Sequence, residues 1–435
     1  MTETENSLRH LVPDREELLL KIEQANFWTM PIVGLQAAVI AGVAIAIDWT
    51  KLGQSPLTCA AAIATAVGPF FLQILQVLAQ NKKEISKLRK TTWFGDFDKE
   101  LLRELFDDAL EKLGLPKDGL PVYVTADRSM NAFAAHAGLG VFSLRFNGIY
   151  LNRQLLHRFT AAEVQDTMGH ELGHYYAHFL TRTRYQILSC ILAALLAILV
   201  VQWLGVDSIL GYLALISCSG AAFFFSGRVR SDQMQAIEFL CDDFGAHLNG
   251  AAVGINALMK LGASAEAETT VFYETILANQ FSDLGPTEIL KTLKQTIPYG
   301  HISEKELNRN VADQLRRKKA QSSVSLIGFL QYAWQTGDEE DVDDLLLQQA
   351  KAWRRVQTTP RLPWESLLED PTNINFHGES LRKLIEMMEA DPAVPLFHEI
   401  AAEDTSRTHP PTKMRILYLW YNREKIANSP ANPIQ

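Results

Sequence analysis

Long apolar stretches alternate with polar, helix-prone segments along this chain. Four of the stretches contain no charged residue, and they occur in two pairs at residues 27–47, 57–79, 185–206 and 208–227. Each is about 20 residues long, which is the length of a helix that crosses a hydrocarbon layer about 30 Å thick. This pattern predicts about four membrane-spanning helices arranged as two hairpins. Four buried helices in the core of a large soluble protein are the alternative interpretation.

Basic residues flank the two pairs on one side only. The loop inside the first pair, DWTKLGQSP, has one lysine, and the loop inside the second pair, GVDS, has no positive charge. By contrast, NKKEISKLRK follows the first pair, while TRTRY precedes and SGRVR follows the second. Because positively charged flanks remain in the cytoplasm, we expect both termini and the segment between the pairs to be cytoplasmic. The first stretch lies too far from the N-terminus for a cleaved signal peptide, so we expect a retained anchor.

The polar segments predict helices and a few short strands. FDKELLRELFDDALEKLGLP has apolar residues at helical spacing and is followed by helix-ending Gly114 and Pro116. LPVYVTA and the longer segment NAFAAHAGLGVFSLRFNGIYLNRQLL alternate in the manner of short strands. Thr160 with Glu163 three residues later predicts a capped helix start, and SDQMQAIEFLCDDFGAHLNG predicts another helix that ends near Gly250. The expected fold class is therefore mainly α with a small β-sheet.

Charge and cysteine content narrow the function classes. The formal net charge is −9, which argues against nucleic acid as the main partner. The four cysteines form no CxxC pair, so the sequence indicates neither a zinc ribbon nor a disulfide scaffold. This cysteine content is consistent with a protein in a reducing compartment.

The segment HELGH carries the clearest chemistry. His170 and His174 are four residues apart, so on a helix both imidazoles face one point and can bind one metal ion. Glu171 is placed to act as general base for a metal-bound water. A third ligand must come from elsewhere, and Glu238 on a later predicted helix is the candidate. Asp242, one turn after it, is expected to accept a hydrogen bond from a ligand imidazole. On spacing alone, Glu238 is equally well an ordinary surface glutamate.

Four patches occur in a fixed order along the chain. They are NAFA at 131–134, HELGH at 170–174, EFLCD at 238–242 and THPPTKMR at 408–415. Together they resemble the HtpX-like membrane zinc endopeptidases, a family related to the CAAX prenyl proteases and the mitochondrial inner-membrane stress metalloprotease. The resemblance covers about residues 121–249 and the C-terminal helix. It implies a zincin-type integral membrane metallopeptidase that binds one Zn²⁺ per chain, with Glu238 as the third ligand.

The resemblance also implies roles for residues away from the metal ligands. His409 and Arg415 are implied to lie near the site, where either could stabilise the oxyanion of a tetrahedral intermediate. Fixing the adjacent turn is the alternative role for these two residues. The strand of Asn131, Ala132 and Phe133 is implied to align an extended substrate by backbone pairing.

Three departures from the family pattern are visible. Members usually have a Ser-Arg pair ahead of the third ligand, whereas this chain has Met234 and Gln235, and its nearest arginine is Arg230. Cys241 replaces the usual alanine. The stretch 262–407 is longer than a minimal member needs, and the sequence assigns it no role.

The expected organisation follows from these elements. Two hairpins interrupt one peptidase domain that is assembled from separate parts of the chain. The segments are an N-terminal cytoplasmic helix (1–26), hairpin 1 (27–80), the first part of the peptidase domain (81–184), hairpin 2 (185–227), the third-ligand helix (228–261), the unassigned helical region (262–407) and the C-terminal part with its tail (408–435).

The expected function is zinc-dependent cleavage of polypeptides at a membrane. By resemblance, the protein would lie in the bacterial inner membrane with its active site facing the cytoplasm, in quality control of membrane or misfolded proteins. The expected partners are polypeptide substrates and the lipid bilayer, while the sequence does not indicate the oligomeric state. Two alternatives remain. A CAAX prenyl-type protease needs a large intramembrane chamber, against which the small number of apolar stretches argues. A non-catalytic scaffold with a retained zinc site would have no use for Glu171.

Overall fold

A computed structural model of the chain is mostly helical, with one small mixed sheet. It describes residues 10, 12–53, 81–116, 120–135, 148–174, 177–204, 231–278, 339–370, 373–398 and 409–429, with isolated positions at 209–211, 213, 217, 285–287 and 289. The helices are α1 (Arg15–Ala46), α2 (Trp49–Gly53), α3 (Lys99–Lys112), α4 (Arg153–Leu156), α5 (Ala161–Gly173), α6 (Ala177–Leu204), α7 (Ser231–Asn249), α8 (Ala251–Ala278), α9 (Glu339–Val356), α10 (Gly378–Ala390) and α11 (Thr412–Asn428). The strands are β1 (Lys82–Glu84), β2 (Val122–Thr125), β3 (Ala132–Ala135) and β4 (Gly148–Asn152).

The sheet has the order β1-β2-β4-β3. β2 and β4 run parallel, while β1 and β3 are antiparallel to their neighbours and form the two edges of the sheet as described. The alternating sequence predicted β2, β3 and β4. It did not predict β1, because Lys82–Glu84 has only polar residues and no alternation of apolar positions.

The helix α3 forms where the apolar pattern predicts a helix, and its apolar face packs against the sheet. The side chain of Asp98 accepts a hydrogen bond from the backbone N–H of Leu101 and thereby caps the start of the helix. Leu102, Phe106 and Leu110 are buried in a hydrophobic cluster that also contains residues of β2, β4 and α5. This cluster holds α5 against the sheet.

The helix α5 begins at the predicted capping box. The Oγ1 of Thr160 accepts from the N–H of Glu163 at 3.3 Å, and the Glu163 carboxylate accepts from the N–H of Thr160 at 2.7 Å. The same carboxylate oxygen accepts from Nζ of Lys260 at 2.8 Å, and both partners are buried. The cap therefore also fixes α8 beside α5.

The helix α8 joins the predicted third-ligand helix to the region of unassigned role. It runs without interruption through the boundary expected between residues 261 and 262. Phe376, Leu384 and Phe397, from the unassigned region, are buried in one hydrophobic cluster with residues of α7, α8 and α11. Part of that region therefore packs into the body that carries α7.

Among the residues that the structure describes, two helices are long and apolar enough to cross a membrane by length and composition. They are α1 and the Ile187–Leu204 portion of α6. Their apolar side chains are widely exposed, with Phe27 at 69% and Trp203 at 89%. Of the other two predicted membrane helices, residues 57–79 and nearly all of 208–227 lie outside the described part of the chain. The arrangement of four helices in two hairpins stays a prediction.

The helices α1 and α6 lie side by side and run in the same direction. Near their middle, Nε2 of Gln36 donates to Oγ of Ser189 at 2.8 Å. Near their C-terminal ends, Nε2 of Gln202 donates to the carbonyl of Asp48 at 2.8 Å. Both contacts advance together along the two helices, so α1 and α6 are parallel and their N-terminal ends point to the same side, with α1 extending further in that direction.

The first turn of α1 is tied to the helical body. The guanidinium of Arg15 forms an ion pair with Asp243 of α7, and the two side chains are only 9% and 6% exposed. The backbone N–H of Arg15 donates to Oδ1 of Asn422 in α11 at 3.3 Å. This connection fixes the N-terminal end of an apolar helix against α7.

We expect Arg15→Ala to destabilise the protein strongly. The substitution leaves the buried Asp243 without its cation, and breaking a buried pair costs about 3–5 kcal/mol. The measurement is the thermal midpoint in detergent, compared with Lys425→Ala, which removes the half-exposed pair with Asp14. That control is expected to lose at most about 1 kcal/mol. Equal midpoints for the two variants would show that Arg15 does not hold α1 in place.

Candidate metal centre

The metal centre is built where α5 and α7 pack closely. A Cβ atom at Gly173 would lie 3.0 Å from Cα of Cys241, and one at Gly245 would lie 2.6 Å from the carbonyl oxygen of Asp166. Neither position has room for a side chain. Because both are glycine, the two helix backbones approach closely enough for side chains on their facing surfaces to meet around one point.

Three side chains on these helices have the arrangement of a metal site. The ligand atoms of His170, His174 and Glu238 all lie within 4.8 Å of one another. Nε2 of His170 is 3.6 Å from Oε2 of Glu238, and Nε2 of His174 is 3.8 Å from its Oε1. Ligands about 2.0–2.2 Å from a tetrahedral ion are separated by about 3.4 Å, so these distances fit a single ion at the centre. The sequence-predicted ligands are therefore brought together.

The second nitrogen of each imidazole contacts one residue of α7, and these two residues are adjacent in the sequence. Nδ1 of His170 is 3.0 Å from Oδ1 of Asp242, as the sequence predicted. Because a carboxylate only accepts, Nδ1 carries a proton, which leaves Nε2 as the nitrogen that can bind a metal. Nδ1 of His174 is 3.5 Å from Sγ of Cys241. This second contact was not predicted, because a cysteine one residue before the expected acid gives no signal in the sequence.

Arg415 is brought to Asp242. Its Nε lies 2.7 Å from Oδ2 and its Nη2 lies 2.5 Å from Oδ1, and both side chains are largely buried. This two-pronged pair holds the pKa of Asp242 below its usual value, although burial acts in the opposite direction. Arg415 thus positions the carboxylate that holds His170. It also lines the cleft, so a role toward an oxyanion stays a prediction.

His409 approaches the third ligand from outside. Its Nδ1 is 3.2 Å from Oε2 of Glu238, and its side chain is 58% exposed. Burial would raise the pKa of Glu238, but His409 and the imidazoles of His170 and His174 outweigh burial and hold that pKa well below its usual range. Glu238 is therefore an anion, as a metal ligand must be.

The pKa values of the two histidines are shifted in opposite directions. Burial lowers the pKa of His174 to about 4, so this imidazole is neutral near pH 7. Burial also acts to lower the pKa of His170, but the hydrogen bond and charge of Asp242 outweigh it and raise the pKa to about 9. The proton that this favours on Nε2 of His170 is the one that a metal ion displaces on binding.

Glu171 lies beside the three ligands and is buried. Burial raises its pKa to about 7, although the nearby His170 acts in the opposite direction. The backbone N–H of Ala134 in β3 faces this carboxylate and also acts to lower its pKa. A carboxylate with a pKa near neutrality, next to a metal site, is suited to take and return a proton.

A cleft of about 760 Å³ runs over the centre and brings all the predicted site residues together. One wall is β3 with the residue that precedes it, and the opposite walls are α5, α7, α8 and the start of α11. Sequence reasoning missed the contribution of α8, including Gly254 and Ala257, because nothing in its pattern points to a site. It also missed the buried Asp166, whose one available signal is its position one turn before His170. The predicted residues that line the cleft are Asn131, Ala132, Phe133, His170, Glu171, His174, Glu238, Asp242, His409 and Arg415.

The edge strand β3 presents alternate backbone groups to the cleft. The carbonyl of Asn131 accepts from the N–H of Asn152 at 3.1 Å, so this residue bonds toward β4. In an antiparallel pair the neighbouring residues then point the other way, which places the backbone groups of Ala132 and Ala134 on the outer edge. In agreement, the N–H of Ala132 donates to Oδ1 of Asn131 at 3.0 Å, and the N–H of Ala134 faces Glu171.

Comparison with known proteins gives a family match. The family model described as peptidase family M48 matches residues 97–421, which is more than half of the chain. No curated protein and no solved structure gives a match. The matched region contains all the residues of the candidate centre.

We expect Glu238→Gln to lose the metal, whereas Glu171→Gln retains it. An amide replaces an anionic ligand in the first variant, while the second changes a residue that is not a ligand. The measurement is bound metal per chain by mass spectrometry of the purified protein. The two variants are matched, since both convert a buried glutamate of the same cleft. Full metal occupancy in Glu238→Gln would contradict its assignment as ligand.

Proposed function

The chain belongs to peptidase family M48, and from that premise we propose that it is a membrane-bound zinc endopeptidase. The observation that carries the proposal is the cluster of His170, His174 and Glu238 with Glu171 beside it. Three protein ligands would leave a bound ion room for water or substrate, and the carboxylate of Glu171 lies beside the three ligands. A structural metal site has no use for either feature.

Zinc is the ion that this donor set favours. Two imidazoles and one carboxylate form the ligand set of well-characterised zinc peptidases. When bound, zinc lowers the pKa of a coordinated water and polarises a peptide carbonyl. The sets preferred by magnesium or calcium consist of oxygen ligands alone, which this centre does not provide.

The proton transfers are assigned to Glu171. Its carboxylate takes a proton from the attacking water and gives it to the amine that leaves when the peptide bond breaks. Burial favours this exchange near neutral pH, because it brings the pKa of Glu171 to about 7. Asp242 and Arg415 act through His170 by fixing its ring and its proton.

Substrate alignment is assigned to the outer edge of β3. An extended polypeptide would add to this edge and pair with the backbone groups of Ala132 and with the carbonyl of Ala134, since the N–H of Ala134 faces Glu171. The N–H of Ala132 now donates to the side chain of Asn131. On binding, a substrate carbonyl would replace that side chain as the acceptor. Main-chain pairing accepts many sequences, which suits cleavage within misfolded chains.

The membrane location rests on the geometry of the two apolar helices. α6 starts three residues after His174, and the first turn of α1 is tied to Asp243, next to Asp242. The centre therefore lies at the N-terminal ends of both helices. The basic flanks of the apolar stretches support a cytoplasmic position for that side. Because the chain resembles the HtpX-like endopeptidases, we propose that it acts in quality control of membrane or misfolded proteins at a bacterial inner membrane.

Cleavage of an unfolded polypeptide tests the activity. We expect the purified, zinc-loaded chain in detergent to cleave a denatured model protein, and Glu171→Gln to lose at least about a hundredfold in rate, since general base catalysis contributes 10²–10⁴. Fragments are measured by mass spectrometry, with zinc content as the control. Equal cleavage by both proteins would indicate a contaminant or a different base. No cleavage by a zinc-loaded wild type that holds one stoichiometric partner would favour the scaffold.

Chemical labelling in intact cells tests the orientation. We expect Lys90→Cys to be protected from a membrane-impermeant maleimide until the cells are permeabilised, because the basic segment lies in the cytoplasm. Trp203→Cys, at the far end of α6, is expected to be labelled in intact cells. Both positions are highly exposed, at 88% for the Lys90 side chain and 89% for Trp203. Labelling of both positions on the same side would contradict a membrane-spanning α6.

A further inference from the structure

Three aromatic rings form a continuous row across the sheet. Tyr123 lies directly opposite Tyr150 in the parallel pair, and Phe133 lies directly opposite Tyr150 in the antiparallel pair. The ring centroids are 4.8 Å and 4.7 Å apart, with interplanar angles of 16° and 2°. Neighbouring strands lie about 4.7–4.9 Å apart, so each strand contributes one ring to a regular stack. We call Tyr123, Tyr150 and Phe133 the aromatic row.

The inner part of the aromatic row is held rigidly. Tyr150, the middle ring, is completely buried. Nζ of Lys82 in β1 lies 4.9 Å from the centroid of the Tyr150 ring and 5.3 Å from that of Tyr123, and it is 3.3 Å from the Tyr150 hydroxyl. These contacts fix the plane in which Phe133 stacks.

Phe133 is the last ring of the row on the cleft side. It lies in the edge strand β3, it is partly exposed, and it lines the cleft. One face of its ring lies on Tyr150 with nearly parallel planes. Because the planes are parallel, the opposite face of the ring points along the row, beyond the edge of the sheet. That is the space where a strand added to β3 would place a side chain.

We propose that Phe133 forms a subsite for an aromatic side chain of the substrate, which extends the aromatic row by one ring. The inference rests on the proposed function, since it requires a substrate strand paired with β3. In such a pair, directly opposite residues have Cβ atoms about 4.5–5.5 Å apart, on the same face of the sheet. The substrate residue opposite Phe133 therefore meets its ring directly.

The position of the subsite relative to the cleaved bond follows from Ala134. The N–H of Ala134 reaches the carboxylate of Glu171, the assigned base. The substrate residue opposite Ala134 therefore lies beside the reacting groups, and the residue opposite Phe133 is its immediate neighbour. The preference for an aromatic residue is expected at one position within two residues of the cleaved bond.

An aromatic residue fits this subsite for a physical reason. Stacked aromatic pairs gain about 0.5–1.5 kcal/mol beyond their buried area, which corresponds to roughly a twofold to tenfold gain in kcat/KM. A leucine would bury apolar surface without the stacking gain. A carboxylate would meet the negative face of the ring and the acidic cleft, so it is expected to be excluded.

The test maps the cleavage sites of the zinc-loaded, full-length chain in detergent. The substrate is a library of denatured peptides of known sequence, and mass spectrometry identifies every cut. For the wild type we expect Phe, Tyr and Trp to be enriched at one position within two residues of the cut. Phe133→Ala and Phe133→Leu are both expected to lose that enrichment, with a twofold to tenfold drop in kcat/KM for peptides that carry it. For peptides with alanine at that position the drop should be smaller, because they do not stack on the ring.

Two controls keep the outcomes separate. Trp93→Leu removes an exposed aromatic residue that is outside the cleft lining, and it should keep the enrichment. Zinc content and cleavage of the alanine peptides show that each Phe133 variant is folded, and Phe133→Leu serves if Phe133→Ala does not fold. Cleavage by the wild type without aromatic enrichment, or enrichment that persists in Phe133→Leu, would overturn the subsite alone. Absence of cleavage by the zinc-loaded wild type would overturn the proposed function together with the subsite.

Discussion

The close packing of α5 against α7 is the constraint on which the site depends. Gly173 and Gly245 leave no atom between the two backbones, so Glu238 comes within reach of the two imidazoles presented by α5. A methyl group at either glycine would push the helices apart by more than the tolerance of a metal site, which is about 0.2 Å in ligand distance. The glycine within HELGH is thus a packing requirement of the site as well as part of its sequence pattern.

The helix α7 also connects the site to distant parts of the chain through ion pairs. Its adjacent acids Asp242 and Asp243 are each neutralised by an arginine from a different part of the chain. Arg415 comes from the C-terminal helix and Arg15 from the start of the apolar helix α1. Buried charges remain ionised only when they are paired, so the centre requires both distant segments to be docked. This dependence explains why the peptidase body is assembled from the two ends of the chain.

The two sides of the cleft perform different tasks by different physical means. The helical side fixes charges and proton positions, through Asp242 behind one imidazole and Cys241 behind the other. The strand side offers backbone groups and the face of Phe133, which bind by hydrogen bonding and stacking. Ala134 links the two sides, because its N–H reaches Glu171. Binding and chemistry therefore share one edge of the sheet.

The sequence by itself determined the features that depend on local spacing. Histidines four apart, the Thr160–Glu163 cap and the apolar stretches that became α1 and α6 are properties of one helix each, and helix periodicity encodes them directly. The four ordered patches also identified Glu238, but only by resemblance. The tertiary structure alone decided which distant residues meet: the parallel contact of α1 with α6, the Arg15–Asp243 pair and the aromatic row across three strands. Arg15 and Asp243 are 228 positions apart, and no periodic pattern spans such a separation. Their meeting depends on how helices and strands pack, which is a property of the whole fold.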